Sequence, residues 1–269
     1  MVGAVIATAV LVFAYFRLDG WQRGLIFHPN RYMAETPRDH ALAFSDQWIE
    51  VGGGKIHGWW IPGASATAPA ILFFHGNAGT ISTELPHLAR LHALGFAVLA
   101  VDYRGYGRST PVSPSEATVY ADARAAWARL LQLAPGASHH MLYGHSLGGA
   151  IAIDLASHAP DVDALVVEGT FPSVAAVAET VFPRWWPISL LVTQRFASDR
   201  KVENLRMPKL FIHCTADEVI SADLSGALYR VASQPKAQLV IPGGSHNNCP
   251  SFAPAAWATA MQRIGTVPP

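Results

Sequence analysis

The sequence predicts an α/β protein whose mostly parallel central sheet has helices on both of its faces. Two observations support this class: short, almost wholly apolar segments recur along residues 70–241, and stretches of helical character lie between them. Continuous apolar strands separated by helices are typical of parallel sheets, because such strands are buried on both faces. The 269 residues suffice for one large domain with a substantial core.

The elements can be assigned in chain order. Residues 47–51 predict a strand, and the three glycines at 52–54 turn the chain back into a second strand, which makes a hairpin. Further strands are predicted in AILFFHG, AVLAVDYRG, HMLYGHS, ALVVEGT, KLFIHCTAD and AQLVIPGGSH. Helices are predicted over residues 82–94, 115–133, 148–157 and 222–231.

The alternation of strands and helices is interrupted between residues 171 and 207. This segment contains VFPRWWPISLLVTQRF, which is rich in aromatic residues and proline. A long insertion at the carboxyl edge of a parallel sheet usually covers the ligand crevice. We therefore predict a small cap insertion within a main domain of residues 25–269.

The first sixteen residues, MVGAVIATAVLVFAYF, carry no charge. As a helix they span roughly 24 Å, somewhat less than the ~30 Å hydrocarbon core, and Trp21 is suited to the membrane boundary. We therefore predict an apolar N-terminal helix that forms a membrane anchor over residues 1–18. A cleaved signal peptide and a buried helix are the alternatives. The basic residues after this segment favour a main domain on the cytoplasmic face: Arg17, Arg23, Arg31 and Arg38.

The overall composition excludes several classes of function. Nineteen basic residues balance nineteen acidic ones, so the chain lacks the basic footprint of a nucleic-acid-binding protein. No spacing of Cys, His and acidic residues resembles a metal site, and neither a metal nor a cofactor is expected. Hydrophobic residues make up 51% of the chain and charged residues 14%, a balance that favours contact with lipid or with an apolar ligand.

The segment YGHSLGGAIAI places a serine between glycines, directly after a predicted strand and directly before a predicted helix. In this context G-x-S-x-G is a nucleophile elbow, a tight turn that projects the Ser146 hydroxyl above the sheet. Gly144 and Gly148 leave room for the strand and the helix to approach each other. A serine hydroxyl is a poor nucleophile by itself, so it needs a base and an acid that orients the base.

The partners of such a serine are expected later in the chain, with the acid before the histidine. KLFIHCTADEVIS ends one strand and supplies Asp217, and LVIPGGSHNN ends the next strand and supplies His246. Both residues fall where the carboxyl ends of parallel strands gather catalytic side chains. We therefore predict a catalytic triad of Ser146, His246 and Asp217.

Four other polar residues are weaker candidates for this chemistry. Glu168 also follows a strand and stays open as an alternative acid, although a hydrogen bond to neighbouring groups is its simpler role. Glu218 is expected to point away from the site. Asp102 and His75 precede the serine, and Asp102 is expected to organise the loop DYRGYGRS instead.

Acyl transfer also needs two N–H donors directed at the developing oxyanion. One is predicted to be the backbone N–H of Leu147, the residue after the serine. The other is predicted to be the backbone N–H of Asn77 in FFHGNAG. The glycines of this loop, Gly76 and Gly79, permit close approach of the backbone.

As a set, these motifs resemble the α/β-hydrolases, and in particular their Bem46-like branch. The resemblance runs from about Leu25 to the C-terminus and includes FFHGNAG, VDYRGYGRS, PSEATVYADARAAW, GHSLGG, EGTFPSV, RFASDRKVENLRMPKLFIHCTADEVI and GGSHNN. It implies an N-terminal membrane segment, no cofactor, and an ester, lipid-ester or thioester substrate. Two residues depart from the pattern without removing a catalytic group: Cys214 replaces a usual glycine, and Ser221 replaces a common proline.

The two cysteines lie on either side of the predicted acid and base. Cys214 precedes the acid and Cys249 follows the base, in loops that should be neighbours. A disulfide is therefore geometrically conceivable. Two free buried thiols are nevertheless expected, especially in a cytoplasmic domain.

The leading functional hypothesis is a membrane-anchored serine hydrolase that cleaves carboxylic esters or thioesters of lipid-like or acylated substrates. A peptidase or amidase with the same triad is an alternative, but the mainly apolar cap counts against it. A membrane scaffold without catalysis is the alternative from another class, and the complete set of triad residues counts against it. Apolar cap residues are expected to line an acyl pocket: Phe182, Trp185, Trp186 and Leu190.

Overall fold

A computed structural model describes residues 2–183 and 185–266 of the chain. Within these residues the central sheet contains eight strands: β1 (Ser45–Val51), β2 (Gly54–Ile61), β3 (Ala70–Phe74), β4 (Ala97–Asp102), β5 (His140–His145), β6 (Ala164–Glu168), β7 (Lys209–Cys214) and β8 (Lys236–Ile241). Their spatial order is β1-β2-β4-β3-β5-β6-β7-β8. Strand β2 is antiparallel to both of its neighbours, and the other pairs are parallel. The predicted hairpin and mostly parallel sheet are confirmed.

Helices precede, connect and flank the strands. They are α1 (Val2–Ile26), α2 (Leu85–Ala93), α3 (Glu116–Leu133), α4 (Leu147–Ala156), α5 (Val174–Ala178), α6 (Ile188–Leu191), α7 (Ser198–Val202), α8 (Ala222–Val231), α9 (Cys249–Phe252) and α10 (Pro254–Ile264). The four helices predicted between strands correspond to α2, α3, α4 and α8. Helices α9 and α10 were not predicted, although α10 buries Trp257, Met261 and Ile264 at helical spacing.

Each face of the sheet has its own hydrophobic core, because successive side chains along a strand point to opposite faces. In β3, Leu72 and Phe74 belong to the core that includes α3 and α4, whereas Ile71 and Phe73 belong to the core that includes α2 and α10. All five residues of β3 are buried. This strand therefore lies at the centre of a sheet covered on both faces, as the sequence predicted.

The register of the parallel strands brings their carboxyl ends to one edge of the sheet. Phe74 of β3 lies opposite Gly144 of β5, and Gly144 lies opposite Val167 of β6. The loops that follow these strands therefore begin side by side. A residue delivered by one loop can contact residues delivered by the next.

Residues 171–207 leave the sheet and contain the short helices α5, α6 and α7. Glu116 at the start of α3 accepts a hydrogen bond of 2.8 Å from the backbone N–H of Phe196, which is fully buried. Gln22 of α1 donates a hydrogen bond of 2.7 Å to the carbonyl oxygen of Leu191. The insertion is thus held between α1 and α3.

The N-terminal helix α1 is present, but the predicted membrane anchor over residues 1–18 is not supported. Within the described residues, no helix combines the length and the apolar character needed to cross a membrane. Residue 1, and the side chains of residues 2–7, 9 and 11, lie outside the described part. Polar residues of the second half of α1 contact the main domain: Arg23 Nε donates to the carbonyl oxygen of Pro114 at 2.8 Å, and Asp19 accepts a hydrogen bond from Gln194.

A disulfide bond joins Cys214, the last residue of β7, to Cys249, the first residue of α9. The expectation of two free thiols was therefore wrong. Strands β7 and β8 are adjacent and parallel, so the end of β7 lies beside the loop that follows β8. The two Cα atoms are 5.7 Å apart, which is within the reach of a disulfide.

Loss of this disulfide should destabilise the protein. The cysteines are 35 residues apart, and closing a loop of this length in the unfolded chain is expected to contribute about 3–4 kcal/mol to the free energy of unfolding. Denaturant unfolding with and without dithiothreitol measures this difference. The Cys214→Ala, Cys249→Ala double variant is the control, since a reductant should not change its midpoint. Alkylation of both cysteines in denatured, unreduced protein would contradict the bond.

Candidate active site

The turn around Ser146 joins β5 to α4 and strains the serine backbone. Ser146 has a φ of 55° and a ψ of −120°, a conformation that non-glycine residues rarely adopt. A Cβ atom at Gly144 would clash with the backbone of Gly148, and one at Gly148 would clash with the carbonyl oxygen of Phe74. Glycine at both positions therefore permits the helix to start directly against the strands.

Asp217 and His246 meet at the carboxyl edge of the sheet, where His246 Nδ1 lies 2.7 Å from Asp217 Oδ2. The Asp217 carboxylate also accepts hydrogen bonds from the backbone N–H groups of Val219 and Ile220. Burial would raise the pKa of Asp217, but the hydrogen bond with His246 and those from the backbone outweigh burial and lower this pKa. The carboxylate is therefore charged, and it orients the ring so that Nδ1–H donates and Nε2 remains the proton acceptor.

Ser146 and His246 line the same cavity of about 480 Å³ at the carboxyl edge. Within the described residues, no hydrogen bond joins the Ser146 hydroxyl to the His246 ring, and such bonds are often long in unliganded sites. In the same part of the chain, no cluster of His, Cys, Asp and Glu is arranged to hold a metal ion.

The two expected oxyanion donors lie next to this serine. Asn77 lines the cavity, and Leu147 is the first residue of α4, where N–H groups have no partner within the helix. In the described part of the chain, neither backbone N–H has an acceptor in the protein. The side-chain amide of Asn77 donates to the carbonyl oxygen of Ile26 at 3.0 Å, and the backbone carbonyl oxygen of Asn77 accepts a hydrogen bond of 2.7 Å from the Tyr106 hydroxyl. These bonds hold the Asn77 loop in place.

The rival acids have other partners. Glu168 is fully buried, accepts a short hydrogen bond from the Tyr143 hydroxyl and lies 3.3 Å from His87 Nε2. The Glu218 carboxylate accepts a hydrogen bond of 3.1 Å from the backbone N–H of His246, so Glu218 does not point away from the site as expected. Sequence reasoning missed this contact, because nothing in the sequence indicates the direction of the Glu218 side chain.

Asp102 and His75 are buried beside each other, outside the cavity next to Ser146. The Asp102 carboxylate accepts a hydrogen bond from the backbone N–H of Ile81, and its carbonyl accepts one from the Ser109 hydroxyl. Burial raises the pKa of Asp102 to about 7 and lowers the pKa of His75 to about 4. These contacts tie the loop after β4 to the rest of the domain, which is the role that the sequence predicted for Asp102.

The cap residues predicted to line an acyl pocket lie elsewhere. Trp185 and Leu190 are 80% and 83% exposed, and Phe182 stacks on Trp186 with ring centroids 5.5 Å apart. Among the described residues, none of these four lines the cavity beside Ser146. The segment that carries them is bound to α1 instead. Polar side chains that sequence reasoning missed form much of the cavity wall: Thr83, Glu84, His87, Asn247 and Ser251.

The fold and the site together indicate one class of protein. The α/β-hydrolases place a nucleophile elbow at the carboxyl edge of a mostly parallel sheet, which is where Ser146 lies. Residues 69–207 match the family of the alpha/beta hydrolase fold, and the chain belongs to this family.

Relatives of known sequence identify the branch. Bem46 of Schizosaccharomyces pombe is 35% identical over 188 residues, which cover 67% of this chain and 62% of Bem46. An uncharacterised protein of Mycobacterium tuberculosis is 35% identical over 248 residues, which cover 91% of this chain and 86% of that protein. The predicted resemblance to the Bem46-like branch is thus confirmed.

Solved structures confirm the fold. The esterase Pf2001 of Pyrococcus furiosus superposes with a TM-score of 0.72 at 19% identity and covers 89% of this chain and 96% of its own. Est1E of Butyrivibrio proteoclasticus, with ferulic acid bound, superposes with a TM-score of 0.68 at 18% identity, over 81% of this chain and 98% of its own. At these identities the likeness establishes the fold alone.

Gly169 is a site residue that sequence reasoning missed, and it provides a test of the Asp217–His246 pair. It follows β6 with a φ of 55°, and an added Cβ would lie 3.2 Å from His246 Cε1 and 3.3 Å from Asp217 Oδ2. Gly169→Ala should cost about 1–2 kcal/mol of stability from backbone strain. It should also lower the rate at which Ser146 reacts with a fluorophosphonate by about tenfold or more, since a displaced base is a poor proton acceptor.

Gly95→Ala is the matched control for this prediction. Gly95 also has a positive φ, of 95°, but nothing lies within 4 Å of an added Cβ. Both variants should therefore lose stability, and Gly95→Ala should keep the parent reaction rate. Equal rates of reaction with the fluorophosphonate in the two variants would contradict a role for Gly169 in positioning Asp217 and His246.

Proposed function

We propose that the protein is a serine hydrolase that cleaves carboxylic esters or thioesters by means of Ser146, His246 and Asp217. The observation that carries this proposal is the 2.7 Å contact between His246 Nδ1 and Asp217 Oδ2, beside a cavity that His246 shares with Ser146. The family membership and the similar folds of two esterases support the choice of an ester substrate.

In the first half of the reaction, Ser146 Oγ attacks the carbonyl carbon of the substrate, and His246 Nε2 takes the hydroxyl proton. The Asp217 carboxylate stabilises the imidazolium that forms. The N–H groups of Leu147 and Asn77 donate to the oxyanion of the tetrahedral intermediate. Its collapse breaks the bond to the alcohol or thiol, which leaves with the proton from His246.

In the second half, water takes the place of the leaving group. The water oxygen attacks the acyl-enzyme carbonyl while His246 accepts a proton from the water. The N–H groups of Leu147 and Asn77 stabilise the second oxyanion. Collapse of this intermediate releases the carboxylic acid and returns the proton to Ser146. Each half consumes and returns one proton at His246, so the reaction needs no further reactant than water.

The cavity favours a small or polar acyl group over a lipid chain. Its volume is about 480 Å³, and carboxylate, imidazole, amide and hydroxyl groups form much of its wall. Each methylene group that moves from water to an apolar surface contributes ~0.8 kcal/mol to binding. Removing water from the polar groups of the cavity wall costs free energy, and this cost offsets the gain. The lipid-like substrate expected from the cap aromatics is therefore not part of this proposal.

The first test removes the three groups in turn. Ser146→Ala should lower kcat by about 10⁶-fold, His246→Ala by a comparable factor, and Asp217→Asn by about 10⁴-fold. Hydrolysis of p-nitrophenyl acetate and labelling by a fluorophosphonate probe measure these losses. Asp223→Asn, at an exposed position on α8, is the control for Asp217→Asn and should keep the parent activity. A Ser146→Ala variant that keeps a tenth of the parent activity would refute the proposal. A parent protein that neither hydrolyses the ester nor reacts with the probe would favour the alternative of a scaffold without catalysis.

The second test concerns the acyl group. A series of p-nitrophenyl esters from acetate to palmitate should give its highest kcat/KM at acetate or butyrate, because among the described residues no Phe, Trp, Leu or Ile side chain lines the cavity beside Ser146. Trp186→Ala should leave this ranking unchanged, since Trp186 does not line the cavity. A maximum of kcat/KM at acyl chains of eight or more carbons, which the Trp186→Ala variant loses, would instead support the acyl pocket that the sequence predicted. Matched anilides serve as amide controls and should react far more slowly than the esters.

A further inference from the structure

Glu84 and His145 form a buried ion pair behind the serine that the mechanism above does not use. Glu84 lies immediately before α2, and His145 is the last residue of β5 and the neighbour of Ser146 in the chain. Glu84 Oε1 is 3.5 Å from His145 Nδ1. The two residues are only 8% and 2% exposed, so water contributes little to their solvation.

The surroundings of His145 favour a proton on both of its ring nitrogens. On one side Nδ1 faces the Glu84 carboxylate, and on the other Nε2 lies 3.0 Å from the carbonyl oxygen of His246. Both neighbours are acceptors, and only an imidazolium has two N–H donors. Burial disfavours this cation, but the Glu84 carboxylate outweighs burial and raises the pKa of His145 to about 9.

Other titratable groups surround the pair. His87 Nδ1 lies 3.3 Å from Glu84 Oε2, and the His87 and His145 rings stack with centroids 5.6 Å apart. The Glu168 carboxylate also favours the cation on His145, whereas burial keeps His75 neutral by lowering its pKa to about 4. The groups that face the pair thus come from five parts of the fold: His87 from α2, Tyr143 from β5, Glu168 from β6, His75 from the loop after β3, and His246 from the loop after β8.

His145 also supplies one of three contacts that fix His246. Asp217 binds the ring, the Glu218 carboxylate binds the backbone N–H at 3.1 Å, and His145 binds the backbone carbonyl oxygen at 3.0 Å. His246 lies in a loop that contains two glycines of positive φ, Gly243 and Gly244, so the loop backbone itself does little to fix the histidine. The contact from His145 ties this loop to the turn that carries Ser146.

We propose that Glu84 and His145 are positioning residues, whose ion pair holds the backbone of His246 in register with Ser146. This inference rests on the proposed function, in which His246 takes the proton of Ser146. Glu84 holds the proton on His145, and the protonated ring holds His246. Both residues also line the cavity beside Ser146, so a loss of the pair should slow proton transfer and lower kcat more than it changes KM.

The pH dependence of hydrolysis tests this role. The pKa of His145 is raised from its ordinary value of 6.5 to about 9, so the cation is complete below the ordinary value and is lost as the pH rises through about 9. The parent kcat should therefore fall on the alkaline side with a midpoint near pH 9. In Glu84→Gln the countercharge is gone, and this midpoint should move down by about one pH unit or more. At pH 8 a downward shift of about one unit should lower kcat about twofold and a shift of about two units about tenfold, with a smaller change in KM.

Glu35→Gln is the matched control, because Glu35 forms an exposed ion pair of 2.7 Å with His40 and lies outside the site. It should keep the parent profile. Lys209, whose pKa burial lowers to about 8, lies at the opposite end of β7, so an alkaline limb caused by Lys209 would not move in Glu84→Gln. Exchange of the imidazole C2 hydrogen, followed by mass spectrometry, reports the titration of His145 itself and should show the same shift.

The outcomes separate the two proposals. A parent that neither hydrolyses esters nor reacts with a fluorophosphonate would refute the proposed function, and the positioning role with it. An active parent whose alkaline limb is shared by Glu84→Gln and Glu35→Gln would overturn the positioning role alone. Should Glu84→Gln fail to fold, the parent still decides the question: the inference fails if His145 C2–H exchange titrates near pH 6.5 rather than near pH 9.

Discussion

The close approach of α4 to the ends of β3 and β5 is the constraint on which the site depends. Because Gly144 and Gly148 lack side chains, the helix starts against the strands without a connecting loop, and Ser146 takes up the strain of the turn. The same approach leaves the N–H of Leu147 without a helical partner at the point where the serine emerges. The exposed serine and the free N–H group beside it, which the proposed reaction uses, therefore follow from one packing contact.

The sequence predicted the parts of the structure that depend on local pattern. Apolar runs located the strands, and the glycines around Ser146 located the turn, because each is dictated by the backbone itself. The choice of Asp217 and His246 then followed from the order in which such partners follow the serine and from the rule that the carboxyl ends of parallel strands share an edge. The apolar cap residues show the limit of local pattern: hydrophobicity indicates that Trp185 or Leu190 has an apolar use, but not which surface it faces.

Contacts between distant side chains could not be predicted in this way. The sequence predicted that the loops of Cys214 and Cys249 are neighbours, but it favoured free thiols, because the pattern of residues does not show whether two adjacent thiols are oxidised. The ion pair of Glu84 with His145 has no sequence signal at all, since Glu84 comes from the start of α2 and His145 reads as the variable residue of G-x-S-x-G. Such ion pairs can be recognised only when the positions of both secondary-structure elements in the fold are known.

The loop that carries His246 shows how these distant contacts complement the rigid turn. Ser146 is fixed by its own backbone, but His246 lies between β8 and α9, where glycines offer little rigidity. A covalent bond at Cys249 fixes the far end of this loop, and Glu218, Asp217 and His145 hold the histidine itself. Burying the charged residues among these costs solvation free energy, which an ion pair seldom recovers as stability. The gain from such a network is therefore expected in geometry, since a base displaced by a single ångström loses much of its catalytic effect.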